Sequence, residues 1–387
     1  MNVLFTFFFL SERPDRLMNT WLAYKSKRAY VFQDHIWNLE HYPWPKEKYL
    51  ERRPRTPINA LLAGPPAGGW WDPDDNAPRS VSEHWFRTVC PESETRIILT
   101  GDVKPAVYWE MGDVIFDHWQ KLLSDAPERC LEIRSSDGDE TPQTFDIWLW
   151  SSTRVLSLWD GLKNSPVSRL LAPSPIVKAA VDRNEYLFLP RGPRLPYSAP
   201  RDPYERMLAI HLRRGDFEGY CLYLAHRNST FSSWNSLPFL PDKFIHPTPE
   251  GYEPGKNTPE AIEHYQKRCY PDQDLILDKI QKSREEYIHA ARSGEHRVLD
   301  VIFLLTNDDT EWVKELETRL RQLGWHTVVA TNDLELDQEQ KDVGMAVDME
   351  FARKAAVFIG NGVSFSSTAP KYMSLTCVLL PVVFVYE

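Results

Sequence analysis

Residues 210–217 read Ile-His-Leu-Arg-Arg-Gly-Asp-Phe, a histidine, two arginines and an aspartate set into an otherwise apolar run. On an extended strand alternate side chains share a face, so Leu208, Ile210 and Leu212 fall on one side and His211 and Arg213 on the other. The polar pair then lies at the carboxyl end of the strand, where open α/β sheets take their ligands. Arg213 suits an anion there, because a guanidinium stays charged and grips phosphate through two parallel N–H donors. Arg214 and Asp216 point the other way and read as a supporting pair. Two blander readings compete: a strand end capped by an ion pair, and an adhesion tripeptide, Arg214-Gly215-Asp216. The tripeptide is disfavoured because it trails directly from an apolar strand.

A second constellation spans 347–372. An apolar strand ends at Gly360 and is followed by Asn361, Gly362 and the hydroxyls of Ser364, Ser366, Ser367 and Thr368. A helix opening near Ser367, with Pro370 in its first turn, would turn free backbone N–H groups toward a phosphate. The stretch has neither the G-K-[ST] of a P-loop nor the G-x-G-x-x-G of a dinucleotide site, so an ordinary capped turn remains a competing reading. Asp348 either complements the dipole of its own helix or accepts hydrogen bonds from a base or ribose.

The elements that must position these residues are clearest in the second half. Strands are expected at 207–214, 300–308, 326–330 and 357–360, and helices at 259–292, 310–324 and 344–357. The 300–308 run is continuously apolar, as in a buried parallel strand. The helix after it carries Trp312, Val313, Leu316 and Leu320 at helical spacing, with Thr310 as its N-cap and Gly324 at its end. Strand and helix in alternation is the doubly wound α/β pattern. The first half is rich in tryptophan and proline, which favours ordered loops over a scaffold. Strands are expected there at 29–33, 95–100 and 144–149. The proline-rich stretch 189–203 divides an N-terminal domain, 1–200, from a C-terminal one, 201–387.

Composition narrows the class. The chain has 387 residues, 42% hydrophobic, with 14 Trp, 16 Tyr and 18 Phe, which is enough for packed cores and excludes global disorder. A formal charge of −10 argues against coating nucleic acid, so an anion site must be focused. The five cysteines, Cys90, Cys130, Cys221, Cys269 and Cys377, form no C-x-x-C pair and encode no zinc site, while leaving room for one or two bridges. The sequon Asn228-Ser229-Thr230 would matter only in a secreted or luminal protein. The apolar opening 3–10 is too short for a membrane helix and a poor signal peptide. It reads either as an incomplete start or as a buried first strand, and the incomplete start is preferred.

Taken together, His211-x-Arg213-Arg214-x-Asp216, then Asp348, Phe358-Ile359-Gly360-Asn361 and Ser364-Phe365-Ser366-Ser367, resemble the GDP-fucose-dependent fucosyltransferase superfamily, which includes protein O-fucosyltransferases and α1,6-fucosyltransferases. The resemblance covers 205–370 well and the first half loosely. It implies a GT-B fold, two Rossmann-like domains facing a cleft, with the acceptor in the cleft and the donor held mainly by the C-terminal domain. It implies that Arg213 contacts the β-phosphate and neutralises the charge building on departing GDP, without a metal. His211 would bind the nucleotide or orient the phosphates, Asp348 would hold guanine or ribose, and Ser364, Phe365 and Ser366 would line the pocket beside Asn361 and Ser367. Arg214 would be a second phosphate contact or a structural partner of Asp216. The implied reaction is inverting transfer of fucose from GDP-fucose to a protein or glycan hydroxyl, in the secretory pathway, with no cofactor.

Two other classes stay open. Family members usually have an early glycine- and asparagine-rich turn, and the corresponding stretch here, 11–24, has no glycine, which suits a non-catalytic relative acting as a binding or structural protein. The triplets Asp72-Pro73-Asp74, Asp137-Gly138-Asp139 and Asp272-Gln273-Asp274 match the D-x-D by which GT-A enzymes hold a cation, yet none follows an apolar strand.

Overall fold

The computed structural model describes residues 3–6, 14–37, 54–137, 139, 143–189, 202–214, 217–227, 229, 231, 233–245, 258–292, 296–308, 310–361 and 382–385. The chain divides into two compact units, Met1–Val177 and Lys178–Glu387. The stretch 190–201, most of the expected linker, lies outside the described residues.

The first unit is built on a parallel sheet of β1 (Val3–Thr6), β2 (Ala29–Phe32), β3 (Val81–Ser82), β4 (Thr95–Leu99) and β5 (Cys130–Arg134), ordered β3-β2-β1-β5-β4. The apolar opening thus contributes the central strand. Helix α1 (Pro14–Lys25) starts on a proline, whose missing N–H is no loss in a first turn, and packs Trp21 against Phe116 of α2 (Gly112–Asp125), with ring centroids 4.2 Å apart. The buried Arg28 side chain donates to the carbonyls of Leu123, Ala126 and Glu128 at 2.8, 2.6 and 3.0 Å, satisfying acceptors at the end of α2. A disulfide joins Cys90 to Cys130. The strand expected at 144–149 is instead a single helical turn, Ile147–Trp150, because Asp146 caps it by accepting from the Leu149 N–H at 2.9 Å.

The second unit has a parallel sheet of β6 (Met207–Leu212), β7 (Val301–Thr306), β8 (Thr327–Ala330), β9 (Val357–Gly360) and β10 (Val382–Val385), ordered β8-β7-β6-β9-β10. Its helices include α3 (Phe217–His226), α4 (Pro259–Cys269), α5 (Gln273–His289), α6 (Glu311–Gln322) and α7 (Gly344–Lys354). The expected 259–292 helix is two helices, since Pro271 cannot continue the first and Asp272 caps the second by accepting from the Leu275 N–H at 2.9 Å. Thr310 caps α6 as its position suggests.

Alternation along the strands sorts the core into two faces. Leu208, Ile210, Ile302, Leu304 and Ile359 pack with Ile276 and Ile280 of α5 and Leu316 and Leu320 of α6. On the other face Phe303 meets Phe351 of α7 and Phe188, with centroids 5.2 and 5.6 Å apart. Helices on both faces of a parallel sheet make this unit doubly wound. At its amino edge the fully buried Arg206 pairs with Asp300, just before β7.

Candidate functional site

The chain enters the second sheet at β6, steps outward to β7 and β8, and returns to β9 on the opposite side of β6. The carboxyl ends of β6 and β9 therefore flank the point where strand order reverses, which is where a crevice opens in sheets of this kind. His211 is the penultimate residue of β6, Arg213 and Arg214 follow it, and Asn361 follows β9. His211, Arg213, Arg214, Asn361, Cys269 and Pro271 line one crevice.

The two arginines have different surroundings. Arg213 is partly buried, its guanidinium 5.9 Å from the Phe217 ring. Arg214 is stacked between Tyr270 and Trp312, 3.8 and 4.0 Å from their centroids, and donates to the Pro271 carbonyl at 2.8 Å. Its backbone N–H donates to Asn307 Oδ1 at 3.0 Å, and Asn307 Nδ2 donates back to its carbonyl at 3.4 Å. That exchange clips the end of β6 to the end of β7. Arg214 thus clamps the strand end to the α4–α5 connection and to α6, and the neighbouring Arg213 lines the same crevice.

His211 is partly buried, and desolvation with the adjacent Arg213 charge pushes its imidazole down to about 4. It is neutral at pH 7, able to donate through one nitrogen and accept through the other.

Asp348, on α7, receives a hydrogen bond from the Thr331 hydroxyl at 2.9 Å, and that hydroxyl accepts from the Thr306 N–H at 3.2 Å. Thr306 ends β7 and Thr331 directly follows β8, so the carboxylate is held at the same carboxyl edge. Its Oδ1 is buried and has no hydrogen-bond partner among the described residues. Burial pushes this carboxyl up to about 7, the Thr331 bond opposing the shift. A half-satisfied buried carboxylate is a ready acceptor for a ligand N–H or O–H.

Asn361 is 2% exposed and its amide donates to the Cys269 carbonyl at 2.9 Å. Cys269 is bonded to Cys221 of α3, so the disulfide and this hydrogen bond join α3, α4 and β9. Asp216, Ser364, Phe365, Ser366 and Ser367 lie outside the described residues. Asn307 and Thr331 escaped the sequence reading, although each sits just past an apolar strand, which is the signal that picked out Arg213 and Asn361.

The aspartate triplets have other partners. Asp72 pairs with Arg169 at 2.5 Å, Asp139 with Lys104 at 3.0 Å, Asp272 caps α5, and Asp274 pairs with Arg319. Among the described residues no group of three His, Cys, Asp or Glu is arranged to hold a metal ion, and no helix is long and apolar enough to cross a membrane.

No family model matches the chain, and no curated protein matches it. Among solved structures it is similar to POFUT1 in complex with GDP, with a TM-score of 0.57 at 15% identity over 100% of this chain and 99% of that one. A GDP-fucose complex of POFUT1 gives 0.55 at 14% identity, covering 99% and 97%, and the apo-form gives 0.54 at 15%, covering 99% and 98%. At such identities the likeness is one of fold: the chain shares the fold of these GDP and GDP-fucose complexes of POFUT1.

Proposed function

We propose that this chain is a GT-B glycosyltransferase that transfers fucose from GDP-fucose to a hydroxyl of a protein or glycan, by inversion and without a metal. The observation that carries the reading is the convergence of Arg213, His211 and Asn361 at the strand-order reversal of a doubly wound sheet.

Arg213 contacts the β-phosphate. The acceptor oxygen bonds to the anomeric carbon of fucose as the bond from that carbon to the phosphate oxygen breaks, both electrons of that bond leave with GDP, and the hydroxyl proton passes to solvent. The guanidinium stabilises this charge where it develops. Neutral His211 orients the phosphates through a hydrogen bond. Asp348 accepts from guanine or ribose through Oδ1, and donor binding by Ser364, Phe365, Ser366 and Ser367 rests on the sequence resemblance alone, these residues lying outside the described ones. Arg214 acts from behind, by fixing the strand end. The structural partners of the aspartate triplets favour this scheme over a GT-A one. The two disulfides suit an oxidising compartment such as the secretory pathway.

A specific observation favours the second reading, a non-catalytic relative that binds or scaffolds. Asn19, the asparagine of the early stretch, is fully buried and bonds back to the Asp15 carbonyl at 2.8 Å within α1.

Calorimetry with GDP separates the two. Micromolar binding that Arg213→Ala weakens supports the transferase, and silence supports the second reading. A transfer assay that survives EDTA is expected, whereas an Arg213→Ala variant with wild-type GDP affinity and full transfer would overturn the mechanism.

A further inference from the structure

The first unit holds a cavity of about 930 Å3, within the range of roughly 300–1,000 Å3 of small-molecule sites. It opens where β4 and β5 end, between the segments that follow those strands, the carboxyl edge of an open parallel sheet. Among its lining residues the two segments nearly touch: the Gly101 N–H donates to Ser136 Oγ at 2.9 Å, and a Cβ at Gly101 would lie 2.5 Å from that oxygen.

Its rim is aromatic and exposed. Tyr108 is 74%, Trp109 57% and Trp148 46% exposed, a concentration of large rings that solvent alone does not favour. Arg154 fixes them: its guanidinium lies 4.3 Å from the Trp109 ring centroid and donates to the carbonyls of Glu110 and Trp148, each at 3.0 Å. Trp109 adopts φ 61°, a left-handed backbone that strains a bulky residue and persists only where its surroundings hold it. The rim is therefore organised in advance of any ligand.

The polar lining decides what fits. Lys104 and Asp139 neutralise each other at 3.0 Å, Arg154 is bonded to carbonyls, and Asp137, Asp146, Ser136 and Thr144 add acceptors and hydroxyls. Such near balance neither attracts a diphosphate nor repels a neutral molecule. Flat aromatic faces suit the C–H faces of a pyranose, while the carboxylates and hydroxyls suit its O–H groups.

We propose that this cavity binds a neutral oligosaccharide, with Tyr108, Trp109 and Trp148 as stacking platforms. The site lies wholly within the first unit and stands whether or not the second unit binds GDP.

The test exposes the full chain to an array of neutral hexose and N-acetylhexosamine oligomers, with poly-lysine as the peptide-like control, and titrates the best binder by tryptophan fluorescence. Retention of a neutral oligomer is expected. Its affinity should fall at least about tenfold in Tyr108→Ala and in Trp148→Ala, the scale on which one stacked ring acts, with the unfolding midpoint unchanged. Failure to retain any neutral oligomer, capture of poly-lysine alone, or binding that survives both substitutions overturns the assignment.

Discussion

The side-chain amide of Asn361 donates to the Cys269 carbonyl at 2.9 Å, tying the carboxyl end of β9 to the last residue of α4. Both partners are buried, so the bond cannot be exchanged for water. Removing the amide leaves an unsatisfied carbonyl, which costs about 1–3 kcal/mol. Asn361→Ala is therefore expected to lose stability on that scale in urea unfolding, and an unshifted midpoint would contradict the role.

The Cys221–Cys269 disulfide closes a sequence separation of 48 residues beside that bond. The chain-entropy account assigns such a loop about 4 kcal/mol. A Cys221→Ser/Cys269→Ser double variant should unfold at distinctly lower denaturant, and the same midpoint as wild type would show the bridge to be dispensable.

Arg213 and Arg214 are adjacent, yet their losses should differ. Arg213→Ala should lower GDP affinity about tenfold to a hundredfold, since hydrogen bonds to charged groups are worth about 1.5–3 kcal/mol. Arg214→Ala removes a cation stacked between two rings and should cost about 2 kcal/mol of stability. Lysine should not restore it, because the planar fork is what stacks. Equal effects of the two variants on both readouts would refute this division.

Asp348 gives the fold a pH signature. Its carboxyl is raised from 3.8 to about 7 by burial, so the folded state holds a proton that the unfolded state releases. Stability from this group is complete below pH 4 and is lost as pH rises toward 7. Asp348→Asn carries no charge, so its thermal midpoint should exceed that of wild type at pH 7–8, with the gap closing by about pH 4. His211, held down to about 4, adds a slope of opposite sign to both proteins and cancels in the comparison. A gap that does not vary with pH would exclude the buried carboxyl as its source.

The strands and helices of the second unit were legible because each depends on local chemistry. Continuous apolar runs mark strands at 300–308 and 357–360, which form over Val301–Thr306 and Val357–Gly360, and Thr310 and Gly324 bound a helix of clear period. Where a local signal was weak the reading failed: Asp146 turned 144–149 into a capped helical turn, and Pro271 with Asp272 split the long helix.

By itself the sequence determined that His211 and Arg213 stand at the end of an apolar strand, because side-chain alternation and hydrophobic period belong to each residue and its near neighbours. Strand order belongs to residues far apart in the chain. Only the tertiary structure set β9 beside β6, bringing Asn361 and Cys269 to the reversal point. It alone paired Cys221 with Cys269 and placed Tyr270 and Trp312 on either side of Arg214, with Arg213 lining the same crevice. Stacking and pairing require partners to meet in space, and no local pattern states which ones will.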